Sequence, residues 1–367
     1  MNVCMLTDKP LPTVRPTGVG IAAFSMALAL SKRGNTVNYI CRGEEDGTLS
    51  IGDNLTLRTV VHYSKDNLGA SLAAIRGGAP DVVHVHSSAA APSLVAAWAL
   101  GRRTVFHSHG DQPLHPLGLT LVRSVEMSLS QRVIAVSERT RQDIIRNHGV
   151  PGSKVVVAYN GVDTDEFRPL PREPSVLQKY GLEEAEKLIL SVGAVQARKG
   201  QMRMVECMPK VLSAWPGATY VNVGPTYDLA FTDSVLDRAR ELGVAGAVRL
   251  ISGVPQEDLV ALISAADLCV HPSSREPFGL AVVEEMACAK PVVALDSGAL
   301  PEIIDNMVDG IIVGSMGRTL GDSILEILGD PALMRRMGAA ARDKVTDKFT
   351  WDKTASRLEE IYRGLRQ

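Results

Sequence analysis

Two glutamates separated by seven residues form a pair that could carry chemistry. Glu276 lies in SSREPF, and Glu284 lies in the following run GLAVVEEMACA. That run is apolar around its circumference except at Glu284 and Glu285, which predicts a buried helix over 278–289. A buried carboxylate needs hydrogen-bond partners, and a ribose 2′,3′-diol would supply two hydroxyl donors. Periodicity does not choose between Glu284 and Glu285, and a buried salt bridge to Arg or Lys is the competing interpretation.

A glycine-framed segment, GAVQARKG at residues 193–200, carries two further candidates, Arg198 and Lys199. It lies just after a predicted strand and just before a predicted helix. A cation beside a helix N-terminus can neutralise a diphosphate leaving group, because the charge there grows as the bond to the sugar breaks. From spacing alone, a solvated lysine in a turn is the favoured interpretation.

A second glycine motif, Gly18-Val19-Gly20-Ile-Ala-Ala, matches the dinucleotide fingerprint G-x-G-x-x-G/A. The match alone is weak, because KPLPTVRPT separates it from the first strand and is too long for the tight turn that fingerprint needs. The unpaired amides at this predicted helix start still suit a phosphate or carboxylate. A plain helix start remains the alternative.

Two patterns contain residue types that bind metals, but neither is read as a metal site. Four histidines form i, i+2 pairs at the ends of predicted strands, His84 with His86 and His107 with His109. Spacing brings no carboxylate or cysteine cluster to them, so we expect no bound metal. Asp163-Thr-Asp165 reads as a D-x-D metal motif, but its place after an Asn-Gly pair favours a turn.

The elements that must position these residues alternate along the whole chain. Apolar runs such as NVCMLT, TVNYIC, DVVHVH, TVFHSH and RVIAVS alternate with helical segments, and the pattern begins again with KLILSVGAV, ATYVNVG, AVRLISG, DLCVHPS and PVVALD. This predicts two doubly wound parallel sheets, whose ligands bind beyond the carboxyl ends of the strands. We expect a first Rossmann-like domain, a Pro-rich linker, a second Rossmann-like domain and a terminal helix that can pack back on the first domain: residues 1–165, 166–186, 187–350 and 351–367.

Composition limits the function classes. The chain has 367 residues, 45% hydrophobic and 22% charged, which fits a globular protein of two domains. A net charge of −2 argues against non-specific nucleic-acid binding. Residues 1–165 hold 16 Lys/Arg and 13 Asp/Glu, leaving 23 and 28 for the remainder, so the first part is mildly basic.

Cysteine usage and hydropathy indicate the compartment. Five cysteines without C-x-x-C spacing argue against a disulfide framework and a zinc site, and fit a reducing cytoplasm. No apolar run approaches the roughly 20 residues of a membrane span, and the start lacks the features of a signal peptide. We expect a cytoplasmic protein. Seven arginines against four acids in 102–146 allow peripheral contact with the inner face of the membrane, although a solvated face is the favoured interpretation.

Taken together, the motifs resemble those of the retaining glycosyltransferases of family 4, the "glycosyl transferases group 1". EPFGLAVVE resembles the E-x7-E motif of that family, AVSERTRQDI and VVVAYNGVDTDEFRP its inter-domain segment, and GALPEIIDNMVDGIIV the segment after the motif. Lys199-Gly200 and the terminal FTW…IY complete a resemblance that spans nearly the whole chain. It implies an α/β protein of the GT-B fold, with two Rossmann-like, doubly wound domains facing a central cleft.

The resemblance also implies roles for individual residues. Glu276 would contact the donor sugar, Glu284 the nucleotide ribose and Lys199 the diphosphate. His109 of HSHGD matches the histidine that lines the sugar site. We take Glu276, Lys199 and His109 as candidate catalytic residues.

The remaining candidates are binding residues. Arg198 is a candidate phosphate ligand, and Phe278, Gly279 and Leu280 would offer backbone amides to the phosphates. Gly253 and Val254 fall in the stretch near the base in the family. Gly18 would lie near donor phosphate and acceptor, with Val19 and Gly20 also on the acceptor side.

Three positions depart from the family pattern. Ala194 replaces the usual arginine of the phosphate element, which puts the grip on the diphosphate in doubt, and Arg198 could substitute for it. Thr17 and Ala299 replace two glycines. Glu302, which follows the Ala-Leu-Pro segment, is left without an assigned role.

The implied activity is transfer of a sugar from a nucleotide-diphosphate sugar, UDP-sugar being favoured, with retention of anomeric configuration. The acceptor would be a hydroxyl of a small molecule, glycan or glycolipid. No metal or other cofactor is expected, because Lys199 and helix dipoles can stabilise the leaving group. The alternatives are an NAD-dependent oxidoreductase, resting on GVGIAA, and a non-catalytic nucleotide-sugar-binding protein, which Ala194 favours.

Overall fold

A computed structural model divides the chain into two compact units. The first comprises Met1–Gly161 and Trp351–Gln367, and the second comprises Val162–Thr350. The residues that the structure describes are 1–11, 17–60, 68–86, 91–110, 117–316 and 318–365.

An eight-stranded sheet forms the centre of the first unit. Its order is β3-β4-β2-β1-β5-β6-β7-β8, and its pairs are parallel except for the antiparallel pair β3 and β4. The inner strands are almost wholly buried because helices cover both faces, as parallel sheets require. The strands are β1 Asn2–Pro10, β2 Thr36–Arg42, β3 Gly47–Ile51, β4 Leu55–Val60, β5 Val82–His86, β6 Arg103–Ser108, β7 Arg132–Ala135 and β8 Val155–Val157.

The helices of this unit connect its parallel strands. One face of the sheet buries an apolar cluster that includes Val83, Val85 and Phe106. The helices between the strands are α1 Gly18–Lys32, α2 Leu68–Gly78, α3 Ala91–Ala99, α4 Leu117–Leu129 and α5 Glu138–His148.

A six-stranded parallel sheet forms the centre of the second unit. Its order is β11-β10-β9-β12-β13-β14, so the strand order reverses direction between β9 and β12. Such a switch point leaves a crevice at the carboxyl ends of the strands, where ligands bind in doubly wound folds. The strands are β9 Lys187–Val192, β10 Ala218–Val223, β11 Val248–Ile251, β12 Leu268–His271, β13 Val292–Leu295 and β14 Gly310–Met316.

The second unit begins with a short helix inside the segment predicted as a linker. That segment is fixed to the helix Gln256–Ala265 by Asp258, whose Oδ2 accepts hydrogen bonds from Lys179 Nζ at 2.6 Å and Tyr180 Oη at 2.7 Å. The helices are α6 Pro174–Lys179, α7 Gln201–Ala214, α8 Leu229–Glu241, α9 Gln256–Ala265, α10 Leu280–Ala287, α11 Leu300–Ile303, α12 Leu320–Gly329 and α13 Pro331–Lys348.

The terminal helix α14, Trp351–Arg363, belongs to the first unit and packs on α1. Glu359 on its buried face contacts Arg33 at 3.3 Å, and Asn35 donates to it at 2.7 Å. Leu358 and Tyr362 are fully buried beside it. This helix therefore carries polar anchors as well as an apolar face.

Within the described part of the chain, no helix is both long and apolar enough to cross a membrane.

Candidate active site

Lys199 and Glu276, 77 residues apart, meet at the carboxyl edge of the second sheet. Lys199 Nζ lies 2.7 Å from Glu276 Oε2, and the two side chains are only 15% and 11% exposed. Lys199 ends a short 3₁₀ turn after β9, and its stem crosses the backbone of Gly193. Both charged groups are thus largely withdrawn from water, so the solvated lysine that spacing alone favours is not what the structure contains.

The loops that carry this pair are locked together by backbone contacts. Gly200 has φ +80°, and a Cβ there would lie 2.1 Å from the carbonyl oxygen of Pro272, so only glycine fits. The amide of Ser274 donates to the carbonyl of Arg198 at 2.9 Å. These contacts fix Lys199 relative to the segment that leads to Glu276.

The backbone of Glu276 is held from the other side as well. Gly298 has φ +56°, and a Cβ there would come within 2.0 Å of the Glu276 carbonyl oxygen. The amide of Ala299 donates to the same oxygen at 2.8 Å. Ala299 itself has φ −91°, so the alanine that replaces a family glycine fits without strain.

The structure gives Glu284 and Glu285 different environments. Glu285 is fully buried, and its carboxylate lies 2.9–3.0 Å from His271 Nε2. Glu284 is half-buried, and its carboxylate has no hydrogen bond to any other described residue. Burial, together with Glu285 and Glu166, raises the pKa of Glu284 to about 8. A carboxylate in this condition gains from a ligand that brings hydroxyl donors.

The helix that carries Glu284 begins within the segment between Glu276 and Glu284. It starts at Leu280, later than the expected start at 278, with Gly279 as an N-cap that supplies no side-chain bond. The amide of Val283 donates to the Gly279 carbonyl at 3.2 Å, so the amides of Leu280, Ala281 and Val282 precede the first bond of the helix ladder. Phe278 is buried edge-on against Phe349, at 6.0 Å between ring centroids.

The segment that the resemblance assigns to phosphate binding lacks one expected cation. Ala194 stands where the family has arginine, and its carbonyl accepts a hydrogen bond from Gln201 Nε2 at 3.0 Å. Arg198 is exposed on the 3₁₀ turn beside Lys199. Gly253 and Val254 lie in the loop between β11 and α9, at the same carboxyl edge of the sheet.

In the first unit, the glycine motif forms the start of α1. Thr17 is the N-cap residue, and its Oγ1 accepts a hydrogen bond from the Gly20 amide at 3.1 Å. The threonine that replaces a family glycine thus has a capping role. The cap uses the amide of Gly20, but not the amides of Gly18 and Val19. Gly18 is exposed and Val19 is half-buried. Residues 12–16, which precede them, lie outside the described residues.

His109 is the outermost member of a stack of four imidazoles. His86 Nδ1 lies 2.8 Å from His109 Nε2, and His84 Nε2 lies 3.2 Å from His107 Nδ1. Below them, the hydroxyl of Tyr362 lies 2.6 Å from His84 Nδ1. Burial lowers the pKa of His109 to about 4, and the other three are lowered well below their usual value.

The ligand nitrogens of His84, His86 and His107 lie within 4.8 Å of one another, a spacing that raises the question of a metal ion. Ring planes differ by only 4° between His84 and His107, and by 25° between His86 and either of them. His84 Nε2 lies 3.2 Å from His107 Nδ1 and His86 Nδ1 lies 2.8 Å from His109 Nε2, so four of the ring nitrogens are engaged in hydrogen bonds between the rings. The arrangement is a hydrogen-bonded stack.

The D-x-D pattern is a turn. Asp163 Oδ1 accepts hydrogen bonds from the amides of Asp165 at 3.0 Å and Glu166 at 3.2 Å. Two contacts were not predicted from the sequence: the hydrogen bond between His271 and Glu285, and the hydrogen bond between Tyr362 and His84. Only the register of distant strands and helices brings these residues together.

Comparison with known proteins identifies the family. Residues 16–166 match "Glycosyltransferase Family 4" and residues 173–344 match "Glycosyl transferases group 1". A D-inositol 3-phosphate glycosyltransferase of Thermobispora bispora is 30% identical over 308 residues, covering 82% of this chain and 69% of that protein. An alpha-maltose-1-phosphate synthase of Mycolicibacterium smegmatis is 26% identical, covering 99% of both chains.

Solved structures share the fold. Sucrose-phosphate synthase from Thermosynechococcus elongatus has a TM-score of 0.82 at 20% identity, covering 99% of this chain and 98% of that chain. Anabaena HepE in complex with UDP-glucose has a TM-score of 0.81 at 19% identity, covering 100% of both. These findings confirm the predicted GT-B fold and exclude the oxidoreductase alternative. The chain belongs to glycosyltransferase family 4, whose members transfer a sugar from a nucleotide sugar with retention of anomeric configuration.

Proposed function

We propose that this protein transfers a sugar from a UDP-sugar to a hydroxyl of a small phosphorylated acceptor. Two similar proteins are named for phosphorylated sugars or polyols, a D-inositol 3-phosphate glycosyltransferase and an alpha-maltose-1-phosphate synthase. A structural neighbour was solved with UDP-glucose. The mildly basic first 165 residues are compatible with an anionic acceptor.

The observation that carries the proposal is the 2.7 Å contact between Lys199 and Glu276. It brings together a cation suited to a diphosphate and a carboxylate suited to sugar hydroxyls, each partly withdrawn from water. When the donor binds, Lys199 exchanges part of its contact with Glu276 for the diphosphate, and Glu276 accepts hydrogen bonds from the sugar. Each group is thereby positioned before the reaction begins.

The rest of the donor is held by neighbouring groups. The Glu284 carboxylate accepts hydrogen bonds from both ribose hydroxyls, and the amides at the start of α10 meet the diphosphate. Arg198 supplies the second cation that Ala194 cannot. Gly253 and Val254 contact the base through their main chain. His109 and the amides at the start of α1 are assigned to sugar and acceptor binding by the family resemblance alone.

In the reaction, the acceptor oxygen attacks the anomeric carbon on the face from which the diphosphate leaves. The new carbon–oxygen bond forms as the bond to the phosphate oxygen breaks, and that phosphate oxygen takes the acceptor proton. Negative charge therefore grows on the diphosphate, where Lys199 lies. Electrostatic stabilisation of developing charge is the largest contribution such a site can make.

Donor selection and acceptor selection can be tested in sequence. We expect UDP to raise the melting temperature more than GDP or ADP, because a ligand that binds only the folded state stabilises it. We expect release of UDP from UDP-sugars to accelerate when inositol phosphate is added, and NMR of the product to show the anomeric configuration of the donor. Uncharged inositol is the matched control acceptor.

The outcomes separate the competing functions. Stabilisation by UDP without turnover of any UDP-sugar, with or without an acceptor, would identify a non-catalytic nucleotide-sugar-binding protein. Equal rates with inositol and inositol phosphate would remove the phosphorylated acceptor from the proposal.

A further inference from the structure

The imidazoles of His84, His86, His107 and His109 are joined by hydrogen bonds. The proposed glycosyl transfer does not explain why these bonds are present. The first three rings are fully buried, and His109 is half-buried just beyond the end of β6. Burial keeps all four neutral near pH 7, so each ring carries one N–H and one lone pair. The position of each proton therefore follows from its partners.

The direction of the inner bonds is set by Tyr362. Its hydroxyl lies 2.6 Å from His84 Nδ1, and no other acceptor for its hydrogen is found among the described residues. The phenol therefore donates to Nδ1, which places the His84 proton on Nε2. That proton is donated to His107 Nδ1 at 3.2 Å, so His107 carries its own proton on Nε2.

The outer bond can be assigned in the same way. The Nε2 atoms of His86 and His107 are both buried and have no hydrogen-bond partner among the described residues. His107 already has an unpaired N–H at its buried Nε2. If His86 carried its proton on Nε2 as well, the interior would contain two unpaired N–H groups instead of one. Unpaired buried N–H groups are rarer than unpaired acceptors. His86 therefore carries its proton on Nδ1 and donates it to His109 Nε2 at 2.8 Å.

We infer that His86 is a positioning residue that fixes His109 as an Nδ1–H donor for a hydroxyl oxygen of the donor sugar. This inference rests on the proposed function for the sugar contact, but the tautomer itself does not. His109 Nε2 accepts from His86, so the one proton of the neutral ring stays on Nδ1, which has no partner among the described residues. A free imidazole would sample both tautomers and several ring orientations, and only one of these presents the donor.

The tautomer can be measured directly in the intact protein. Nitrogen-15 spectra of the imidazoles distinguish a protonated from an unprotonated ring nitrogen, and the chain has only 8 histidines. We expect His109, assigned by its loss in His109→Gln, to be protonated on Nδ1. A proton on Nε2 of His109 in the native protein would overturn the inference without any variant being made.

Two substitutions at His86 test the positioning role. His86→Leu removes the donor, and we expect His109 to become a tautomer mixture and kcat to fall by about tenfold or more, with the KM for the donor little changed. His86→Asn keeps an amide donor near the place of Nδ1, so it should restore both the tautomer and most of kcat. Equal kcat values for the Leu and Asn variants, or an unchanged tautomer in the Leu variant, would contradict the assignment.

His148 provides the matched control. It lies on α5 outside the stack, with Nδ1 3.0 Å from Ser124 Oγ. We expect His148→Leu to leave the His109 signals and kcat unchanged. If the native protein turned over no nucleotide sugar, the proposed function would fail, while the nitrogen-15 measurement would still decide the tautomer.

Discussion

At the scale of single residues, Lys199 has the clearest expected effect. Its ammonium group is the cation nearest to the developing charge in the proposed reaction, and it is only 15% exposed. We expect Lys199→Ala to lower kcat by about 10²-fold or more. Lys210→Ala, at an exposed ion pair on α7, is the control and should leave turnover unchanged. Steady-state kinetics that show native turnover in Lys199→Ala would remove its electrostatic role.

If Glu284 meets the ribose as proposed, we expect nucleotide binding to depend on pH. Its pKa is raised to about 8 in the free protein, and two ribose hydroxyl donors would stabilise the charged form and lower that pKa. The complex then binds fewer protons, so affinity for UDP rises with pH up to about 8 and levels off above it. Below pH 8 the gain is at most about tenfold per unit.

Isothermal titration calorimetry at several pH values measures this linkage. Glu284→Gln is the control, because it keeps the shape and cannot titrate, so the slope that remains in the variant belongs to the nucleotide and to other groups. We also expect the variant to have a higher donor KM. An identical pH slope in both proteins would show that Glu284 does not meet the ribose.

At the scale of elements, buried strands were predictable and exposed ones were not. Runs such as TVNYIC and ATYVNVG correspond to β2 and β10 within about one residue, because strands buried on both faces are continuous apolar runs. β3 is almost wholly exposed and pairs antiparallel at the sheet edge, so its sequence carries no such signal. The loops that carry the candidate site follow from the predicted strands, since each begins where a strand ends.

The pattern of apolar residues could not predict which of Glu284 and Glu285 faces the protein interior. The helix is apolar on all sides, so its periodicity does not say which glutamate faces the interior. His271, at the end of β12, makes that choice by bonding Glu285. The histidine stack was hidden for the same reason, because it depends on the register between β5 and β6 and on the docking of α14.

The docking of α14 depends partly on one buried hydroxyl. Tyr362→Phe keeps the ring and removes the donor to His84, leaving a buried nitrogen unpaired, which costs about 1–3 kcal/mol. We expect amide hydrogen exchange in α14 to accelerate by about 5- to 150-fold, since 1.4 kcal/mol is about tenfold. Glu360→Ala, at an exposed ion pair on the same helix, is the control and should change little. Unchanged exchange in Tyr362→Phe would mean that the hydroxyl does not anchor the helix.

At the scale of the whole molecule, the two units should respond to acid in opposite directions. In the first unit, the pKa of His109 is about 4 and those of the other stacked histidines lie well below 6.5, whereas the unfolded chain titrates near 6.5. The unfolded state therefore binds more protons below pH 6.5, and stability falls as pH falls. The second unit holds Glu284, whose raised pKa makes the folded state bind a proton between about 8 and 4.5. That group adds stability as pH falls.

Hydrogen exchange monitored by mass spectrometry can follow each unit separately in the same sample. Between pH 7.5 and pH 5, corrected for the intrinsic pH dependence of exchange, we expect protection to fall in β5, β6 and α14. Each stacked histidine contributes up to about 1.4 kcal/mol per pH unit below 6.5. Over the same interval α10 should keep or gain protection, and Glu284→Gln should remove any gain. A loss of protection in α10 equal to that in the first unit would contradict the assignment, because a raised pKa of Glu284 predicts stabilisation of the second unit as pH falls.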